Sequence, residues 1–99
     1  MRIDILHVPD CPNLERAVAR LHEALDISAV AASVHEIEVA TAESAAEVGM
    51  RGSPTILIDG VDAFSSESAE PSLSCRLFHT PTGLDGAPTV AQLIDAVTE

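Results

Sequence analysis

The first twenty-five residues constrain the fold more than any other stretch. In R-I-D-I-L-H-V-P, Ile3, Ile5, Leu6 and Val8 make a short apolar run that Pro9 ends, the pattern of a strand buried on both faces. A few residues later Leu14, Val18, Leu21 and Leu25 recur at helical spacing, with Glu15, Arg16, Arg20 and Glu23 on other faces. A buried strand leading straight into an amphipathic helix lays that helix back over the sheet, and the strand that follows should run parallel to the first through a right-handed crossover. Proline suits the first helical position, so Cys11 is expected as the N-cap and Pro12 as the first helical residue, with the helix reaching about Leu25.

The next strand is S-V-H-E-I-E-V, residues 33 to 39, where Ser33, His35, Ile37 and Val39 alternate with Val34, Glu36 and Glu38. Two glutamates on one face point to an edge strand with a wet side. Thr41 is placed to cap a short helix through about Val48, with Gly49 as its stop. T-I-L-I at 55–58 is a β-rich run, Asp59-Gly60 is a strong hairpin turn, and V-D-A-F is the expected returning strand. Residues 65 to 87 hold most of the Ser, Pro and Gly without a clear period, and are expected to form a long irregular loop, either functional or disordered. Thr89 and Gln92 fit a capping box at the head of a last helix, whose apolar stripe is Val90, Leu93, Ile94 and Val97. The expected order is β-α-β-α-β-β-α in one domain over residues 1–99. The sheet is mixed, its four strands in the order 2-1-3-4 with helices on both faces.

Ninety-nine residues can bury a core without disulfides or metals. With Phe64 and Phe78 the only aromatic residues, Leu, Ile, Val and Ala must fill it. The chain has no lysine, and its five arginines face sixteen acidic residues, for a net charge of −11. That balance argues against a nucleic-acid or anionic-membrane surface, both of which need a basic footprint. The start M-R-I-D-I-L-H-V-P-D is too short and too charged for a signal peptide, and a cytoplasmic protein is expected. In a reducing compartment, two cysteines are read as thiols, redox-active groups or metal ligands before a permanent staple.

Chemistry therefore centres on Cys11 and Cys75. A cysteine at a helix start has its thiolate favoured by free N–H groups and by the macrodipole; the alternative is a buried, inert cysteine at a strand-helix junction. Cys75, in P-S-L-S-C-R-L-F-H-T, lies in the expected loop, where Arg76 beside it would favour the thiolate. It is read as a resolving thiol or co-ligand, against an unpaired cysteine packed on Leu73, Leu77 and Phe78. A bond between the two would close a long loop, worth roughly 4 kcal/mol in the chain-entropy model. Cys11, Cys75, His7 and His79 together could hold a soft cation, although cysteines so far apart make no zinc signature. His22, His35 and Arg51 are read as structural or solvated.

Two stretches carry a family resemblance. V-P-D-C-P at 8–12 and G-S-P-T at 52–55, the latter before an apolar strand with an Asp-Gly turn, resemble the thioredoxin-like superfamily over residues 1–64 and the final helix. The resemblance implies a cis Pro54 beside Cys11 and a backbone at Ser53 that aligns a partner chain as an added strand. It also implies thiol-disulfide exchange at Cys11. Leu14 stands where a second active-site cysteine is usual, and Asp10 stands where an aromatic residue often precedes the first. A carboxylate at Asp10 opposes thiolate formation unless it caps the helix or donates a proton.

A narrower resemblance joins C-P-N at 11–13, G-S-P-T, and S-L-S-C-R-L at 72–77. It is to small proteins labelled alkylmercury lyase, and it implies a pair of mercury-holding cysteines, Cys11 and Cys75, with Asp10 as proton donor. The expected function is a thiol-disulfide oxidoreductase with Cys11 as nucleophile and Cys75 as resolving thiol. Its partner is a protein or small-molecule disulfide, and Asp10, Pro12, Ser53 and Pro54 shape the site. No cofactor is called for. The alternatives are a soft-metal or organomercurial binding protein using the same two cysteines, and a non-catalytic thioredoxin-like module.

Overall fold

A computed structural model describes residues 1–64 and 70–99. The described elements are, in chain order, β1 (Arg2–His7), α1 (Leu14–Ser28), β2 (Ser33–Glu38), α2 (Ala42–Val48), β3 (Arg51–Ser53) and β4 (Thr55–Ile58), then β5 (Val61–Asp62), β6 (Ser72–Cys75), β7 (Phe78–Thr80), β8 (Gly83–Asp85) and α3 (Val90–Thr98). The fold is mixed α/β. Its main sheet has four strands in the order β2-β1-β4-β5, with β1 parallel to β2, antiparallel to β4, and β4 antiparallel to β5.

The expected order 2-1-3-4 is thus corrected to 2-1-4-5. The run T-I-L-I does lie next to β1, but a three-residue strand precedes it, and β3 pairs outside the sheet with β6. Asp59 and Gly60, both in the left-handed region, turn β4 into β5. The returning strand stops at Asp62 rather than Phe64, because the Asp62 carboxylate accepts from the Phe64 N–H and closes a local turn.

Side-chain alternation along β1 builds a core on each face. Ile3 and Ile5 meet Leu21, Ala24 and Leu25 of α1, Ile56 of β4, and Leu93 and Val97 of α3. Leu6, one residue out of phase, meets Val39, Met50 and Ala45 of α2. Helices therefore lie on both faces, α1 and α3 on one and α2 on the other. The Thr41 hydroxyl accepts from Ser44 N and Gly49 ends α2 at φ 76°, as the pattern predicts. Thr89 and Gln92 form both bonds of the capping box.

The span 65–87 is where expectation and structure part most. Residues 65–69 lie outside the described residues. The rest is not an irregular loop: it holds β6, parallel to β3, and the β7–β8 hairpin. Among the described residues no helix is long and apolar enough to cross a membrane.

Candidate functional site around Ser53

The turn between β1 and α1 carries Cys11 in an unexpected setting. Asp10 sits exposed at φ 56°, a left-handed conformation that aspartate tolerates, so it makes the turn instead of capping the helix. Leu14 N then donates to the Cys11 carbonyl at 3.3 Å, closing a second turn before the helix begins. The N-cap is Asn13 and the first helical residue is Leu14. The expectation of Cys11 as N-cap and Pro12 as first helical residue is overturned: Pro12 is an exposed turn residue, and Cys11, half-buried, lies two residues outside the cap. The helix-start argument for its thiolate loses force accordingly, since the dipole acts over the terminal turn.

The G-S-P-T stretch is built by Thr55 as much as by Pro54. The Ser53–Pro54 peptide is cis. The buried Thr55 hydroxyl accepts from Arg51 N at 3.0 Å and donates to the Gly52 carbonyl at 2.6 Å, bracing the loop from within. The Ser53 hydroxyl accepts from Val8 N at 3.1 Å, which fastens this loop to the chain three residues ahead of Cys11. Thr55 was visible in the sequence only as the head of a strand; a polar residue leading an apolar run was its signal.

Cys75 reaches the same place from the other side. In the β3–β6 ladder Ser53 is paired with Cys75, and Arg76 N donates to the Ser53 carbonyl at 3.0 Å. One residue, Ser53, thus bonds Val8, at the end of β1 just ahead of the Cys11 turn, through its side chain and the Cys75 strand through its backbone. Both cysteines are free thiols, Cys75 the more exposed. The Ser53 carbonyl, expected to align a partner chain, is already used by β6.

Arg76 was expected to support a Cys75 thiolate, but its guanidinium turns inward. It donates to both oxygens of Asp62 at 2.7 and 3.2 Å and to the Phe64 carbonyl, and lies 4.8 Å over the Phe78 ring. Phe64 meets Phe78 edge to face. The pair is deeply buried, with side chains 9% and 6% exposed. Gly52 makes the close approach possible: a Cβ there would lie 2.9 Å from Arg76 Cβ. Asp62 and this anchor have no local sequence signature.

A second anchor holds the chain between β8 and α3. Asp85 pairs with Arg16 and Arg20 of α1, and Arg20 also donates to the carbonyls of Ala87 and Pro88. The Arg20 hydrogen bond and then the Gly86 N–H hold the Asp85 carboxyl below its ordinary value of 3.8, against a smaller opposing effect of burial. Gly86 packs on the Asn13 carboxamide so closely that a Cβ would overlap it. The C-P-N turn is therefore in contact with the segment after β8.

His7 Nδ1 pairs with the Val8 carbonyl at 3.0 Å, and His79 is exposed on β7. The four residues that could have met around a soft cation form no such cluster: among the described residues no group of three or more His, Cys, Asp or Glu side chains can hold a metal ion. Two open grooves, one of about 420 Å³ between the β4–β5 hairpin and α3 and one of about 440 Å³ beside Leu14 and Val18, include neither cysteine. No family model, curated protein or solved structure matches the chain.

Proposed function

We propose that the protein is a thioredoxin-like thiol-disulfide oxidoreductase whose dithiol is split between the Cys11 turn and β6. The observation that carries this reading is the double engagement of Ser53. Its hydroxyl is bonded to Val8 N at the entrance to the Cys11 turn, and its ladder partner is Cys75. Ser53, next to the cis Pro54, thus bonds the chain three residues ahead of Cys11 and pairs with Cys75, the chain's other cysteine.

The Cys11 thiolate attacks one sulfur of a disulfide R–S–S–R. A Cys11–S–S–R bond forms, the original S–S bond breaks, and one thiolate leaves and takes a proton from water. The Cys75 thiolate then attacks the Cys11 sulfur, forms Cys11–S–S–Cys75, and expels the second thiolate. The substrate gains two electrons and two protons, and the protein loses its two thiol hydrogens. Cys11 is half-buried in its turn and Cys75 is exposed on β6, so both thiols are open to a substrate at the surface.

The test compares reduced wild type with Cys11→Ser and Cys75→Ser, each mixed with a small disulfide and analysed by mass spectrometry. Wild type should lose both thiols to one internal bond. Cys75→Ser should stop as a stable mixed disulfide on Cys11, and Cys11→Ser should lose most of the reaction. Equal rates in Cys11→Ser and wild type would sink the proposal. Cysteine-dependent uptake of one mercuric ion without disulfide turnover would move the assignment to a soft-metal binding protein, for which two thiolates suffice.

A further inference from the structure

We infer that the disulfide this site accepts is small and carries no net negative charge; the inference rests on the oxidoreductase reading above and adds the substrate class to it. The first observation is the filled edge of β3. An extended polypeptide approaching such a site gains most of its affinity by adding as a strand, exchanging backbone N–H and C=O bonds with an open edge. At the Ser53 loop that edge is taken by the protein's own β6: Ser72 N donates to the Met50 carbonyl and Arg76 N to the Ser53 carbonyl, both at 3.0 Å. Ser72 pairs with Arg51 and Cys75 with Ser53, with a register irregularity between the two pairs, so β6 is bonded to β3 at both of its ends.

The plug is not a loosely laid segment. It is fixed next to the thiol by the buried Arg76–Asp62 pair, the bond to the Phe64 carbonyl and the Phe78 ring. Displacing β6 to admit a peptide would draw that guanidinium away from a carboxylate 6% exposed, and an unpaired buried charge is strongly unfavourable. A compact disulfide needs none of these backbone bonds and meets Cys75, which is exposed, and Cys11 without moving β6.

The second observation is charge. Among the described residues four of the five arginines are committed to carboxylates: Arg2 to Asp4, Arg16 and Arg20 to Asp85, and Arg76 to Asp62. Arg51, at the Ser72 end of the β3–β6 ladder, is the remaining one. Asp10 is exposed beside Cys11, Glu15 is exposed on the first turn of α1, and the whole chain carries −11. With a Debye length of about 10 Å at 0.1 M salt, that field reaches the site and lowers the local concentration of an anion.

Single-turnover oxidation of the pre-reduced wild-type protein tests both parts. Four probes are compared at low salt: cystamine, hydroxyethyl disulfide, oxidised glutathione, and the disulfide dimer of an uncharged β-branched peptide. Each rate is divided by that of a free monothiol with the same disulfide, which removes the intrinsic reactivity of the probe. Cystamine and hydroxyethyl disulfide should form the Cys11–Cys75 bond at least about tenfold faster than the other two, within the range that steering by charge provides. The gap to oxidised glutathione should narrow as salt is raised. A peptide dimer as fast as hydroxyethyl disulfide overturns the filled-edge argument, and oxidised glutathione as fast as cystamine overturns the charge argument. In either case the oxidoreductase reading stands. If no probe yields the internal disulfide, that reading fails and this inference with it.

Discussion

Two arginine clamps hold the segment that follows the β4–β5 hairpin, and their surroundings are opposite. Arg76 reaches Asp62 in the interior, with both side chains under a tenth exposed, while Arg16 and Arg20 reach Asp85 with side chains 44%, 31% and 33% exposed. One clamp sits at the Cys75 strand, and the other ties α1 to the chain that packs on Asn13. Water screens the second and not the first. The comparison teaches that ion pairs of similar geometry can differ in purpose. The buried pair fixes one arrangement of β6, since the cost of separating its partners is high. The outer pair adds little stability, and its visible effect is to hold Gly86 against the Cys11 turn.

Breaking the buried clamp should have the largest effect. Arg76→Gln leaves the Asp62 carboxylate buried without its partner, which should cost about 3–5 kcal/mol in urea-monitored unfolding. That is a large share of the stability of a domain this size. Asp62→Asn should be comparably severe, yet the double variant Arg76→Gln/Asp62→Asn should lose clearly less than the sum of the two. A sum that is simply additive would show that the two side chains are not coupled in the folded protein.

The same clamp can be attacked through the backbone. Gly52 has φ 101°, and a Cβ there would lie 2.9 Å from Arg76 Cβ and 3.2 Å from Arg76 Cα, neither of which can retreat unless β6 slides. Gly52→Ala should therefore cost about 2–4 kcal/mol, from backbone strain and overpacking together. It should also raise the reactivity of Cys75 toward a soluble alkylating agent, because the strand that carries it is displaced. Unchanged stability in Gly52→Ala would mean that β3 and β6 do not lie this close.

These two clamps also mark the limit of what the sequence discloses. The Thr41 cap and Gly49 stop of α2, the Asp59-Gly60 turn and the Thr89–Gln92 box are local devices, each encoded within a few residues, and each is present as the pattern predicts. The convergence on Ser53 is not local. β6 is a strand because it pairs with β3 some twenty residues earlier; its own residues, Ser72, Leu73, Ser74 and Cys75, alternate over only four positions and include no β-branched or aromatic side chain to announce it. Arg76 is buried because Asp62 waits inside, whereas adjacency in the sequence offered it only as a support for the Cys75 thiolate. At Cys11 the competing local signals were nearly balanced: proline is favoured at a helix start, but Pro12 is also a good turn residue, and the Leu14–Cys11 turn prevailed. Cys11 and Cys75 were legible as candidates because they are the chain's only cysteines. The pairing of Cys75 with Ser53 was not legible.

The outer clamp should give the smallest and most condition-dependent change. The Asp85 carboxyl is held below its ordinary value in the folded protein, first by the Arg20 hydrogen bond. A carboxyl depressed by folding contributes stability that is complete above its unfolded value, about 3.9, and that is lost as pH falls through the lower folded value. Wild type should therefore lose this contribution only in acid, below about pH 4, and Asp85→Asn should lack that part of the pH dependence. Near neutrality Asp85→Asn and Arg16→Gln should each change stability slightly, the more so at low salt, as expected of a pair open to water. The informative reading is at the other site. If Asp85 serves to keep Gly86 against Asn13, Asp85→Asn should change the alkylation rate of Cys11 while leaving that of Cys75 as in wild type. Equal changes at both thiols would mean instead that the two clamps act as one, and that the contrast between buried and exposed pairs has no counterpart in how the two cysteines are held.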